Sequence, residues 1–161
     1  MAPPPAVFSL HSSTLLLTMS IGLKAGHYRI RNVATNSALD LWGGATEAGT
    51  QVQGFGSHDG DNQKWRLQWV GTGNRATLSN VMGGTYIGVS GNIQNCAKVV
   101  GSTTAVHFLL VAAGNKSWAL LVADRPEYVL DLHGSCSKDE TPVIFYKNNA
   151  TNNQKWYFER A

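Results

Sequence analysis

The chain has 161 residues, 43% of them hydrophobic, with a net charge of +3. That length suits one domain with an adequate core, and no segment approaches the ~20 apolar residues of a membrane-spanning helix. The thirteen Lys and Arg are scattered singly, which excludes the basic stripe of a nucleic-acid binder and leaves a solvated, slightly cationic surface.

Residues 1–20 contain Pro3-Pro4-Pro5 and an apolar run ending in Leu15-Leu16-Leu17. A secretory signal needs a basic n-region and a small-residue cleavage site. No Lys or Arg precedes Lys24, no Ala-x-Ala follows the leucines, and Met19-Ser20 reads as a natural start. The expectation is a disordered extension over 1–23, or a misassigned start, on a cytoplasmic protein; secretion through a weak signal is the alternative. Beyond it, His27-Tyr28-Arg29-Ile30-Arg31 and Lys64-Trp65-Arg66-Leu67-Gln68-Trp69 alternate in polarity, the period of half-buried strands. Glycine-rich turns such as Gly43-Gly44, Gly71-Thr72-Gly73-Asn74 and Gly83-Gly84 separate many short strands. No sustained i, i+3, i+4, i+7 pattern predicts a helix.

The chain is also repetitive. Asn62-Gln63-Lys64-Trp65 recurs as Asn153-Gln154-Lys155-Trp156, 91 residues on. Each Trp lies 25 residues behind the Asp of a Leu-Asp-Leu, Leu39-Asp40-Leu41 or Leu130-Asp131-Leu132. That offset fits repeats of about 45 residues with a degraded copy between them. In that copy Gly88 replaces the Asp, Val106 the Gln and Phe108 the Trp. Gln and Trp two apart on one strand would share a face, so the Trp fills the core while the buried Gln amide bonds to backbone.

Three such repeats resemble the ricin-B-type lectin family over about residues 24–161, most closely its small single-domain fungal members. The resemblance implies an all-β trefoil with Trp65, Phe108 and Trp156 in equivalent buried positions. It also implies a non-enzymatic protein that binds galactose or N-acetylgalactosamine on glycans and needs no cofactor or metal.

Sugar recognition takes fixed polar groups for vicinal hydroxyls and a flat apolar surface for the ring. An ionised Asp is a strong acceptor and an Asn amide the complementary donor. Carried onto this chain, the family pattern gives Asp40, Phe55, Asn62 and the structural Gln63 in the first repeat. The third repeat offers Asp131, Tyr146, Asn153 and Gln154. Aromatic and Asn are seven residues apart in both. Trp42 and His58 are further first-repeat candidates, with core or rim packing and an ordinary loop role as their plain readings. Asp40 and Asp131 have a plain reading as turn formers. The middle repeat, lacking its Asp, is expected to bind nothing in this way.

Asp59 and Asp61 lie in a glycine-containing turn with too few ligands for calcium. Cys96 and Cys136 read as free thiols of a reducing compartment; Cys136 near His133 and Asp131 lacks the orienting partner of a nucleophile. Asn115-Lys116-Ser117 and Asn149-Ala150-Thr151 are glycosylation triplets, the second at the edge of the third-repeat site, where a glycan would obstruct it. The rival class is a trefoil protease inhibitor, which generally lacks paired Asp and Asn-Gln-x-Trp motifs. A glycosidase binding module is a third reading, disfavoured because the chain ends two residues after Phe158-Glu159. Two outer repeats, or a homodimer, would make the protein multivalent.

Overall fold

The computed structural model describes residues 22–161. The extension expected over 1–23 therefore lies, apart from Gly22 and Leu23, outside the described residues. Leu23 is part of the folded unit: its side chain is buried and its carbonyl accepts Trp69 Nε1 at 3.2 Å. Among the described residues there is no α-helix, only strands and short 3-10 turns.

Six strands close into a barrel. They are β1 (Gly26–Asn32), β4 (Lys64–Val70), β5 (Arg75–Asn80), β8 (Phe108–Ala112), β9 (Ser117–Val122) and β12 (Trp156–Arg160). Each pairs antiparallel with the next around the ring, and β12 returns to β1. Closure leaves no barrel edge unpaired. The remaining six form three hairpins: β2 (Ala38–Leu41) with β3 (Val52–Phe55), β6 (Tyr86–Val89) with β7 (Ala97–Ser102), and β10 (Arg125–Leu132) with β11 (Thr141–Lys147). The hairpins meet one another through the pairs Thr141↔Gly54, Ile144↔Lys98 and Gln51↔Val100. Four strands per repeat, with threefold recurrence of barrel and cap, make a β-trefoil.

The alternation read in β4 is observed: Trp65 and Leu67 are buried while Arg66 and Gln68 are exposed. Trp65, Phe108 and Trp156 occupy the starts of β4, β8 and β12 and are all fully buried. Phe108 stacks on Phe145 with centroids 6.2 Å apart. The two indoles do more than fill space. Trp65 Nε1 donates to the Leu39 carbonyl at 2.8 Å and Trp156 Nε1 to that of Leu130 at 3.1 Å. Each Trp thus fastens the cap strand whose next residue is the motif Asp.

One local assignment changes. Gln63 and Gln154 are not on the strands of their Trp partners; each closes a 3-10 turn, Asp61–Gln63 and Asn152–Gln154. Their burial survives because the turn aims the amide inward, under the loop before it.

Candidate functional site

Asp40 lies in β2 between two leucines that face the core, so its carboxylate points to the opposite side, beneath the 56–63 loop. Gln63 organises that loop. Its Nε2 donates to the Gly56 carbonyl at 2.9 Å, and its Oε1 accepts from the His58 amide at 2.8 Å. The same Nε2 reaches Asp40 Oδ2 at 2.9 Å, joined there by Asn62 Nδ2 at 3.0 Å. Gln53, opposite Asp40 in the β2–β3 register, donates to Oδ1 at 3.0 Å. A carboxylate has about four acceptor directions, so roughly one remains free at Asp40. Burial pushes the carboxyl above its ordinary 3.8, while the Gln63, Gln53 and Asn62 hydrogen bonds and nearby His58 pull the other way.

Asp40 opens into a pocket of about 290 Å³ lined by Trp42, Phe55, His58, Asn62 and Glu140. Trp42 is 54% exposed, so it is a rim and not a core residue. Phe55 is half-buried and meets His58 edge to face at 6.1 Å. His58 Nδ1 accepts from the Gly60 amide at 2.9 Å, which places the proton of the neutral ring on Nε2. That nitrogen lies 3.8 Å from Asp40 Oδ2. One wall thus carries an anionic acceptor and an N–H donor beside two aromatic surfaces. Vicinal hydroxyls and an apolar ring face match this set. All six first-repeat candidates, Gln63 as the support, come together here.

The third repeat is built alike with fewer parts. Asn153 Nδ2 donates to Asp131 Oδ1 at 3.2 Å and Gln154 Nε2 to Oδ2 at 2.9 Å. Ile144 stands opposite Asp131 where the first repeat has Gln53, so about two acceptor directions stay free. Burial again raises the carboxyl, against the Gln154 bond, His133 and Asn153. Tyr146 matches Phe55, His133 matches Trp42 and Asn149 matches His58. The 147–151 loop is well tied: Asn148 N bonds to the Glu127 carbonyl and Asn149 N to Gln154 Oε1, both at 2.9 Å.

At Gly88 the middle repeat has no room for the Asp it lacks. A Cβ on Gly88 would sit 2.4 Å from Ser102 Cβ and 2.9 Å from the Thr104 carbonyl. Gly88→Asp is therefore expected to add no binding site and to destabilise by about 1–3 kcal/mol through overpacking. A thermal melt with a binding stoichiometry checks both halves; an added site at wild-type stability would refute the reading.

Two residues at the first site were not legible as motif members. Gln53 has no counterpart, since Val100 and Ile144 replace it in register. Glu140 belongs to the third repeat and reaches the site because Asp139 Oδ1 accepts from the Gly56 amide at 2.7 Å. The other candidates fall to structural roles. Asp59 pairs with Arg29 and Asp61 with Lys64. Cys96 and Cys136 are free thiols; hydrogen bonds from the Lys138 backbone and Thr141 lower the Cys136 thiol.

Known proteins share this architecture. A family model for ricin-type β-trefoil lectin-like domains matches residues 61–146. The crystal structure of the Rhizoctonia solani agglutinin is 55% identical, with a TM-score of 0.84 over 86% of this chain and 97% of that one. A ricin B-like lectin of Macrolepiota procera, solved with lactose, is 25% identical with a TM-score of 0.76 over 86% and 98%. The designed threefold-symmetric protein ThreeFoil, 24% identical, matches in fold with a TM-score of 0.79 over 84% and 99%. No curated protein matches. These two natural relatives are small fungal lectins, and the chain belongs to the ricin-B-type β-trefoil lectin family.

Proposed function

We propose that the protein binds galactose or N-acetylgalactosamine units of glycans without transforming them, chiefly through the first repeat. One observation carries the reading: a buried carboxylate, held by three amide donors, that lines a pocket walled by Trp42, Phe55 and His58. The carboxylates serve as fixed acceptors, each wrapped by side-chain amides. The lactose in the Macrolepiota procera structure supports a galactoside as ligand. The third repeat is the weaker second arm, since His133 and Asn149 replace Trp42 and His58. A trefoil inhibitor gains no support from this arrangement.

A shallow sugar site gives weak affinity; millimolar corresponds to about −4 kcal/mol. Two arms on one particle, from both outer repeats or a homodimer, raise avidity by about 10²–10⁴ and favour agglutination, with defence as a fitting role. Titration calorimetry with methyl galactoside and methyl glucoside tests the assignment. Selective galactoside heat is expected, and equal or absent heats would refute it.

Acidification supplies a second signature. Asp40 and Asp131 have raised carboxyls, so protonation removes the acceptor charge while pH is still above the ordinary 3.8. A group whose folded pKa is raised favours folding most when protonated, so these two contributions strengthen as pH falls. Binding is expected to fade before the fold does. Parallel binding curves and thermal melts from neutral pH downward check this, and loss of both together would contradict it.

A further inference from the structure

The pocket over Asp40 is not isolated. A second depression of about 570 Å³, lined by Trp42, Glu47, Ala48, Thr50, Gln51 and Glu140, shares Trp42 and Glu140 with it. The exposed indole stands between the two, and one ring bound against Asp40 would place its neighbour across that wall. We infer that this second depression is the subsite for the next sugar of a neutral glycan, and that it discriminates against acidic sugars. The inference rests on the galactoside reading above.

Three features make the subsite a built one. The loop that carries Glu140 is held to the first repeat by Gly56 N to Asp139 Oδ1 at 2.7 Å and by Gln51 Nε2 to the Glu140 carbonyl at 3.2 Å. Gln51 Nε2 also donates to Gln53 Oε1 at 3.1 Å, and Gln53 in turn donates to Asp40. A continuous chain of amides therefore links the sugar-binding carboxylate to the wall of the second depression. Within it, Gln51, Thr50 and the indole supply the polar groups and apolar face that suit a pyranose.

Charge then sets the selectivity. Among the described residues, neither the Glu47 nor the Glu140 carboxylate has an ion-pair partner. Two uncompensated carboxylates on the walls repel a carboxylate-bearing sugar and leave a neutral one unaffected. Each is expected to weaken an acidic ring by about threefold at low salt, less as salt screens it. Occupants of this subsite are accordingly hexoses or N-acetylhexosamines, not uronic acids.

The test uses methyl galactoside, lactose, and the disaccharide in which glucuronic acid replaces the glucose of lactose. Wild type is expected to bind lactose several-fold more tightly than methyl galactoside, and the acidic disaccharide less tightly than lactose. Ala48→Trp, which fills the second depression, should bring lactose down to the methyl galactoside level. Glu47→Gln, outside the pocket over Asp40, should leave methyl galactoside unchanged and improve only the acidic disaccharide. Equal affinity of wild type for methyl galactoside and lactose, or an Ala48→Trp variant that keeps the lactose gain, overturns the subsite. An acidic disaccharide that binds as well as lactose overturns the charge discrimination. Failure of every galactoside to bind wild type would instead remove the galactoside reading, and the subsite with it.

Discussion

Asp40→Asn is expected to lower galactoside binding by the first repeat about 10–100-fold while the domain stays folded. A hydrogen bond to a charged group is worth about 1.5–3 kcal/mol, and each 1.4 kcal/mol is tenfold in affinity. In the proposed site a hydroxyl takes the free acceptor direction of Asp40, so its charge-assisted bond is what the substitution is expected to remove. The fold tolerates the change because the three donors around the carboxylate are side-chain amides. Gln53 can turn its amide to accept from the new Asn, giving up the hydrogen bond it accepts from Gln51. Burial already disfavours the ionised form, so the variant also sheds a desolvation penalty at neutral pH. The measurement belongs in an Asp131→Asn background, where the third repeat cannot mask the loss. Wild-type galactoside affinity in a folded double variant would sink the assignment of both carboxylates.

Why the fold was legible and part of the site was not follows from what repeats. Trp65 and Trp156 recur because each fills the same core position and ties the same cap strand, and Phe108 keeps that position without its N–H. A search for recurrence therefore finds the architecture, including the degraded copy. Asp40, Asn62 and Gln63 recur with Asp131, Asn153 and Gln154 because they form one hydrogen-bonded unit, so their spacing is fixed by geometry. Gln53 and Glu140 escape the same search for opposite reasons. Gln53 sits where the other repeats place Val100 and Ile144, and no period announces it. Glu140 acts on the repeat next to its own, across a contact that no within-repeat spacing encodes. Placing Gln63 on the strand of Trp65 erred because period-two reasoning passes over a 3-10 turn of three residues. Asp40 as a turn former fails too: it lies inside β2, with its neighbour Leu39 paired to Gly54.

Trp65→Ala is expected to destabilise the domain by about 3–5 kcal/mol, the range for truncating a large buried aromatic. Against a total of about 5–15 kcal/mol for a domain, that loss brings the protein near unfolding. The position explains the size of the effect. Trp65 is fully buried in β4, paired with Tyr28 of β1 and Asn80 of β5, and its indole N–H bonds to Leu39 in the cap. Removing it opens a cavity where barrel meets cap and frees the strand that carries Asp40. Sugar binding should therefore fall with stability, through misplacement of the carboxylate. Trp65→Phe supplies the control, because Phe108 shows that a phenyl ring can occupy the equivalent place in this fold. It loses the N–H bond and a small volume, and should cost about 1–2 kcal/mol. Denaturant midpoints for the two variants give the comparison. A Trp65→Ala protein no less stable than Trp65→Phe would mean that the indole position is not the hinge between barrel and cap.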